Sequence, residues 1–307
     1  MRAQALPSLG RYTSALTLNL LVKGRPRRRP LNTAPLRLKR GDMSFQRLAI
    51  ILTLSILTLH PVIAAKAPTS GVAIEGSARQ SIQAMSDYLR TAKSFSFKAE
   101  VQYDDVLPSG QTITFSAQNS ISLQRPNGIF SDHTSDTGNR KFWYNGQEIC
   151  LLDPLNGSYA TEPFSGNSDK ALEHMIQVLK FTPPLADFLY ENPAKALLGH
   201  TIQGCVVGKS LIHGIPTTHL AFVDEFIDWQ IWIQDGKLPV PVRFAITYKT
   251  VKNSPQYVAT LTDWDFTSRL PESLFQPAIP PGAVKLPFLK QSGSFKAESQ
   301  KPLTPSK

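Results

Sequence analysis

Cysteine is nearly absent: Cys150 and Cys205 are the only two in 307 residues, so one disulfide is the most this chain can form with itself. Both lie in stretches that read as strands. A bridge between them would close a loop of about 55 residues and contribute roughly 4 kcal/mol through chain entropy; free thiols are the alternative, and spacing alone does not choose. The short motifs of common catalysis are missing too. No G-x-S-x-G elbow, P-loop, H-E-x-x-H or G-x-G-x-x-G occurs, which removes the usual signatures of serine hydrolases, nucleotide binding and zinc enzymes. His133, His174, His200, His213 and His219 follow the amino-terminal leader, none at a helical metal spacing. His213 and His219 could meet across a turn, but hydrogen-bonded histidines are the simpler reading. Asp263 and Asp265 flank Trp264 and read as solvated, and Asp228 beside Trp229 reads as structural. We expect no metal, no cofactor and no enzymatic activity.

Excess charge is absent where it would matter. Residues 1 to 47 hold 11 Lys and Arg against one acid, Asp42, and so carry the whole formal +10; residues 48 to 307 hold 22 basic and 22 acidic residues. With no basic face and no nucleic-acid motif, nucleic acid is not an expected partner.

The leader divides in two. Residues 1 to 42 are Arg- and Pro-rich, with no period that could build a core, and read as an upstream extension with translation starting at Met43. Residues 43 to 65 have the parts of a secretory signal peptide: Arg47, the apolar run from Leu48, a break at His60-Pro61, and small residues before cleavage after Ala64 or Ala65. Export to the periplasm follows. The alternative is an uncleaved anchor in the inner membrane, since about 18 residues is near the lower limit of a span. A linker, residues 66 to 73, leads to the folded part.

From there the chain alternates. Ile74, Ala78, Ile82, Met85 and Leu89 mark one amphipathic helix. Phe95, Phe97, Ala99, Val101 and Tyr103 then alternate with polar residues, as do Ile113, Phe115, Ala117, Ile121 and Leu123, the period of half-buried strands. Turn signals at Arg125-Pro126-Asn127-Gly128, Asn145-Gly146 and Asp153 to Gly157 separate short strands, which reads as a series of antiparallel hairpins. Helices interrupt once, with Ser168 as a cap and with Thr182-Pro183 and Asn192-Pro193 each as a cap followed by Pro. The chain closes in a meander, in which Ile227, Trp229, Ile231 and Ile233 share an apolar face, Trp232 lies on the other, and Val242, Phe244, Ile246 and Tyr248 repeat the pattern. Short loops favour antiparallel neighbours. Residues 289 to 307 are Lys-, Ser- and Pro-rich and read as a disordered tail. The class is α+β.

His219 to Phe222, Asp228 to Ile233, Pro239, Pro241, Pro255-Gln256-Tyr257 and Phe275 with Pro280-Pro281-Gly282-Ala283 resemble the predicted periplasmic proteins of domain of unknown function family 2092. Gly110-Gln111, Arg125-Pro126, Tyr144-Asn145-Gly146 and Pro184 to Asp187 fit the same pattern, over residues 74 to 288. That family is similar in fold to the lipoprotein-localisation carriers (LolA/LolB-like). The resemblance implies a strongly curved antiparallel β-sheet, an unclosed half-barrel, with helices covering its concave face. It implies no catalytic residues. On this reading Phe97, Phe115, Phe222, Trp229, Ile231, Trp232 and Phe244 are the candidate ligand-binding residues, holding lipid or a lipoprotein acyl chain. The alternative is a filled core serving a monomeric structural or protein-binding module with an envelope partner.

Overall fold

The computed structural model describes residues 73–288. The segments read from the sequence as an upstream extension, a signal peptide with Ala64 and Ala65, a linker as far as residue 72 and a carboxy-terminal tail lie outside the described residues.

Helix α1 (Gly76–Thr91) buries Ala78, Ile82, Met85 and Leu89, the stripe expected from the sequence. Strands β1 (Ser94–Val106) and β2 (Thr112–Gln124) follow and pair antiparallel along their whole lengths. The turn between them closes through the Gly110 amide, which donates to the Leu107 carbonyl at 2.8 Å. The chain then walks outward through β3 (Gly128–Ser135), β4 (Gly138–Tyr144), β5 (Glu148–Asp153) and β6 (Ser158–Pro163), each antiparallel to the one before. Between β4 and β5, Gly146 takes φ +88, and Asn145 Oδ1 accepts from the amides of Gln147 and Glu148 at 3.0 Å. A side chain at Gly146 would also collide with Asn127.

Helix α2 (Ser168–Gln177), a 3₁₀ turn (Ala186–Phe188) and helix α3 (Pro193–Leu198) carry the chain to the far side of the sheet. Asn167, rather than Ser168, caps α2 by accepting from the Lys170 amide at 3.0 Å; the Ser168 hydroxyl donates to the Pro126 carbonyl. Thr182-Pro183 opens no helix, whereas Asn192 caps α3 with Pro193 in the first turn. Buried Ser86 ties α1 to α3, its hydroxyl oxygen accepting from the Ala194 amide at 3.1 Å. A second antiparallel series returns: β7 (Thr201–Ile212), β8 (Ile215–Asp224), β9 (Ile227–Gln234), β10 (Pro241–Tyr248) and β11 (Gln256–Asp265), with β11 docking beside β1. Finally β12 (Val284–Lys285) pairs with β6 in parallel.

The sheet corrects the expected fold. All twelve strands form one open sheet, ordered β12-β6-β5-β4-β3-β2-β1-β11-β10-β9-β8-β7, with β12 and β7 as unjoined edges; it is mixed rather than antiparallel, and it does not curl into a strongly curved half-barrel. The physical reason is that alternation fixes which face of a strand is buried, whereas curvature depends on twist and bulges that alternation does not encode. The parallel strand, two residues after a Pro-Pro-Gly turn, carries no periodic signal at all.

One face of the sheet and all three described helices share the main core. Asp263, with φ +53, lies in a stretch where the β1–β11 register slips, and Trp264 joins the same core, stacking on Phe97 with centroids 4.3 Å apart. Its indole N–H donates to the Pro241 carbonyl at 3.0 Å. On the opposite face Trp143, Cys150 and Leu152 form a smaller cluster with Phe130, Tyr159 and Ile279, so the segment leading to β12 covers the β3 to β6 side.

Candidate functional site

The register places the inward side chains of β3, β2, β1, β11 and β10 side by side, and the loop Thr182 to Asp187 crosses over them. Between loop and sheet lies a cavity of about 90 Å³. Its apolar wall is Val101, Ala117, Pro183, Pro184, Leu185, Ala186, Phe244 and Ile246; its polar groups are Tyr103, Asn119, His133, Thr137, Thr182, Asp187, Tyr248 and Tyr257. Leu185 holds the loop in a left-handed conformation, φ +55, and is itself buried. The volume is smaller than the roughly 150 Å³ that admits benzene in an engineered cavity. A few carbons of a chain fit; a whole drug-sized ligand, which takes about 300–1,000 Å³, does not.

The polar groups are organised. Asn119 is 3% exposed and lies with its Oδ1 2.8 Å from His133 Nδ1. An amide oxygen only accepts, so Nδ1 carries the proton and donates, leaving Nε2 as an acceptor. Burial, reinforced by Arg140, moves the His133 pKa from 6.5 down to about 4, against a smaller upward pull from Asp132. The ring is therefore neutral at physiological pH. Near the mouth the Tyr103 and Thr137 hydroxyls are 2.8 Å apart. Burial raises the pKa of both Tyr248 and Tyr257; Asp187 raises Tyr248 further, and Tyr248 followed by Asp187 raises Tyr257 further. Both therefore keep their protons and remain donors.

Of the seven residues expected to bind ligand, only Phe244 lines this cavity. Phe115 stands next to it, its ring 5.7 Å from that of Tyr103. Phe222, Trp229 and Ile231 are at most 2% exposed and packed, with Phe222 stacked on Trp229 at 4.0 Å. Phe97 is buried beneath Trp264. Trp232 lies on the opposite face, stacked against His219 at 4.0 Å with the Arg243 guanidinium 5.9 Å from its centroid. A second hollow of about 290 Å³ borders Phe222 and Trp229 at the β7 edge, with Glu75, Gln203, Asp228 and Gln230 among its lining residues. Asn119, His133, Tyr248, Tyr257 and Asp187 were missed as site residues. One signal was present: Asn119 occupies an inward position between Ala117 and Ile121, a polar break in an otherwise apolar alternation.

The two cysteines take the free-thiol alternative. Both are free, Cys150 buried on β5 and Cys205 half-exposed on β7. Eight strands separate β5 from β7 in the sheet. A disulfide needs Cα atoms within about 7 Å, so this fold excludes the Cys150–Cys205 bridge. Asp228 takes the structural role expected of it, paired with Lys249 at 2.9 Å. The Ser268 side chain, the Thr267 and Ser268 amides and the Thr267 hydroxyl together hold the Asp265 carboxyl below the usual range. Among the described residues no cluster of three or more His, Cys, Asp or Glu could hold a metal.

The fold is thus an open sheet with its helices on one face and a small amphipathic cavity under the Thr182 to Asp187 loop. The chain belongs to the family described as "Predicted periplasmic protein (DUF2092)", which matches residues 78–289. The periplasm is accordingly its compartment. No curated protein matches it by sequence. Among solved structures it is similar to an uncharacterized conserved protein from Thermus thermophilus, at 12% identity and a TM-score of 0.41, covering 69% of this chain and 99% of that one. LprF from Mycobacterium bovis matches at 14% identity and a TM-score of 0.38, over 64% of this chain and 97% of that one. A LolA superfamily protein from Nitrosomonas europaea matches at 12% identity and a TM-score of 0.33, over 65% of this chain and 97% of that one.

Proposed function

We propose that this periplasmic protein holds the end of an acyl chain, from a lipid or a lipoprotein, in the cavity beneath the Thr182 to Asp187 loop. One observation carries the reading: the cavity is lined by apolar side chains together with hydroxyl and amide groups, the mixture an amphiphile needs. Protein purified from the periplasm should release lipid on organic extraction and show an added mass by native mass spectrometry. Ala117→Leu, which places a branched side chain in the cavity, should lose that lipid while remaining folded. Wild-type protein with no bound lipid and no affinity for acyl chains would overturn the reading.

A protein-binding module without lipid has separate support at the β7 edge, where Ile202, Val207 and Leu211 are 51%, 45% and 69% exposed. An edge strand offers backbone groups for pairing with another chain. Alanine at these three positions would abolish partner capture on this reading and leave lipid binding intact on the first. The proposal also retains the start at Met43 and cleavage of the signal peptide after Ala64 or Ala65. Sequencing the mature amino terminus should then find Ala65 or Lys66 first, and residues 1 to 42 on the mature chain would refute it.

A further inference from the structure

We propose that the cavity takes an aliphatic ligand carrying a hydroxyl group, which Asn119 and His133 hold between them: the Asn119 amide donates to the hydroxyl oxygen, and His133 Nε2 accepts from the hydroxyl. This rests on the acyl-chain reading above and deepens it by naming the group on the ligand that the site reads.

The two residues stand opposite each other on β2 and β3, and both line the cavity. Their mutual contact uses one atom of each, Asn119 Oδ1 and His133 Nδ1, at 2.8 Å. A side-chain amide has an amino group as well, and a neutral imidazole has a second nitrogen. Among the described residues neither of these remaining groups makes a hydrogen bond. Asn119 is 3% exposed, and buried polar groups in folded proteins are paired. Two residues in contact therefore leave one donor and one acceptor unused on the cavity wall. A hydroxyl is both, so a single group satisfies the pair. An ether or ester oxygen serves the amide but leaves Nε2 without a donor, which costs the desolvation of that nitrogen. Protonation would turn Nε2 into a second donor, but burial and Arg140 keep the ring neutral down to about pH 4.

The test compares lauryl alcohol with lauryl methyl ether, which keeps the oxygen and loses the donor, each displacing dansylaminoundecanoate from the full mature protein at neutral pH. The alcohol should bind at least about tenfold more tightly. His133→Phe keeps a ring and removes the acceptor, and should bring the two within about threefold, with thermal unfolding to confirm that the variant folds. Nitrogen NMR of the wild type gives a reading that needs no variant: the Nε2 resonance should be that of an unprotonated nitrogen and should move on addition of the alcohol but not of the ether. Comparison of ω-hydroxylaurate with laurate locates the hydroxyl. A similar gain assigns it to the chain; no gain, with the preference for the alcohol intact, assigns it to the head. Equal affinities for alcohol and ether, with Nε2 unmoved, would mean that water alone fills the pair and would overturn the inference while the acyl-chain reading stands. A preference for the alcohol that persists in His133→Phe would give the hydroxyl to another acceptor and overturn it too, as would a protonated Nε2 in the free protein. If nothing displaces the probe and no lipid co-purifies, the acyl-chain reading fails and this inference fails with it.

Discussion

A single row of inward side chains crosses the sheet as Ser135, Ala117, Val101, Ala259, Phe244, Ile231 and Leu220, and its two ends differ. From Phe244 onward every position is large, and Phe188 packs edge-on against Phe244 at 5.4 Å to complete a filled core. At the other end the residues are small, and a proline-containing loop rather than a helix passes above them. The same alternation therefore produces stacked, closely packed rings at one end, beside the hollow at the β7 edge, and a cavity under the loop at the other. What separates them is side-chain volume at matched register positions, which becomes readable only when the pairing order is known.

Substitutions at the two ends sharpen that contrast. Trp229→Ala, in the filled end, should cost about 3 to 5 kcal/mol, because it removes a large side chain with little room for its neighbours to collapse. Denaturant unfolding measures this, and a loss below about 1 kcal/mol would show that the packing there is loose. Ile231→Trp should overpack the same region at about 1 to 3 kcal/mol, whereas Ala117→Leu at the hollow end should cost less than about 1 kcal/mol. Equal costs would erase the distinction.

Acid probes the polar wall of the hollow end. The folded pKa of His133, about 4, lies below its ordinary 6.5, so the unfolded chain takes up the proton more readily. The stability from keeping this ring neutral is complete above pH 6.5 and is lost as pH falls toward 4. The urea midpoint should drop across that window, and His133→Gln should flatten the slope there; parallel slopes would remove His133 from the account. The smallest effect concerns the thiols. Burial pushes Cys150 up to about 12, so Ellman's reagent should reach at most Cys205 in the folded protein and both thiols in denaturant without reductant. Cys205→Ser should change stability by no more than about 0.5 kcal/mol.

Local features were the most legible in the sequence. The alternation of Phe95 to Tyr103 and of Ile227 to Ile233 became β1 and β9, the Asn145-Gly146 turn joins β4 to β5, and Asn192-Pro193 opens α3. Features that depend on strand order were not legible. Cys150 and Cys205 both read correctly as strand residues, yet nothing local says that eight strands lie between them. The site fell between these cases. Phe244 was found because it is apolar and inward, and Asn119 could have been, as an inward polar residue. Asp187 could not, since its relevance depends on a loop crossing Tyr248 and Tyr257, which are contributed by two other strands.

Strand order also sets a schedule for synthesis. One flank of β1 is filled by β11, with Val101 opposite Ala259, and among the described residues the β6 edge pairs with Val284 and Lys285. A chain made from its amino terminus therefore displays two bare strand edges until nearly all of it has emerged, and bare edges recruit neighbouring chains. Truncation shortly before Val284 would prolong that exposure indefinitely at β6, converting a passing stage of biogenesis into a permanent template for aggregation.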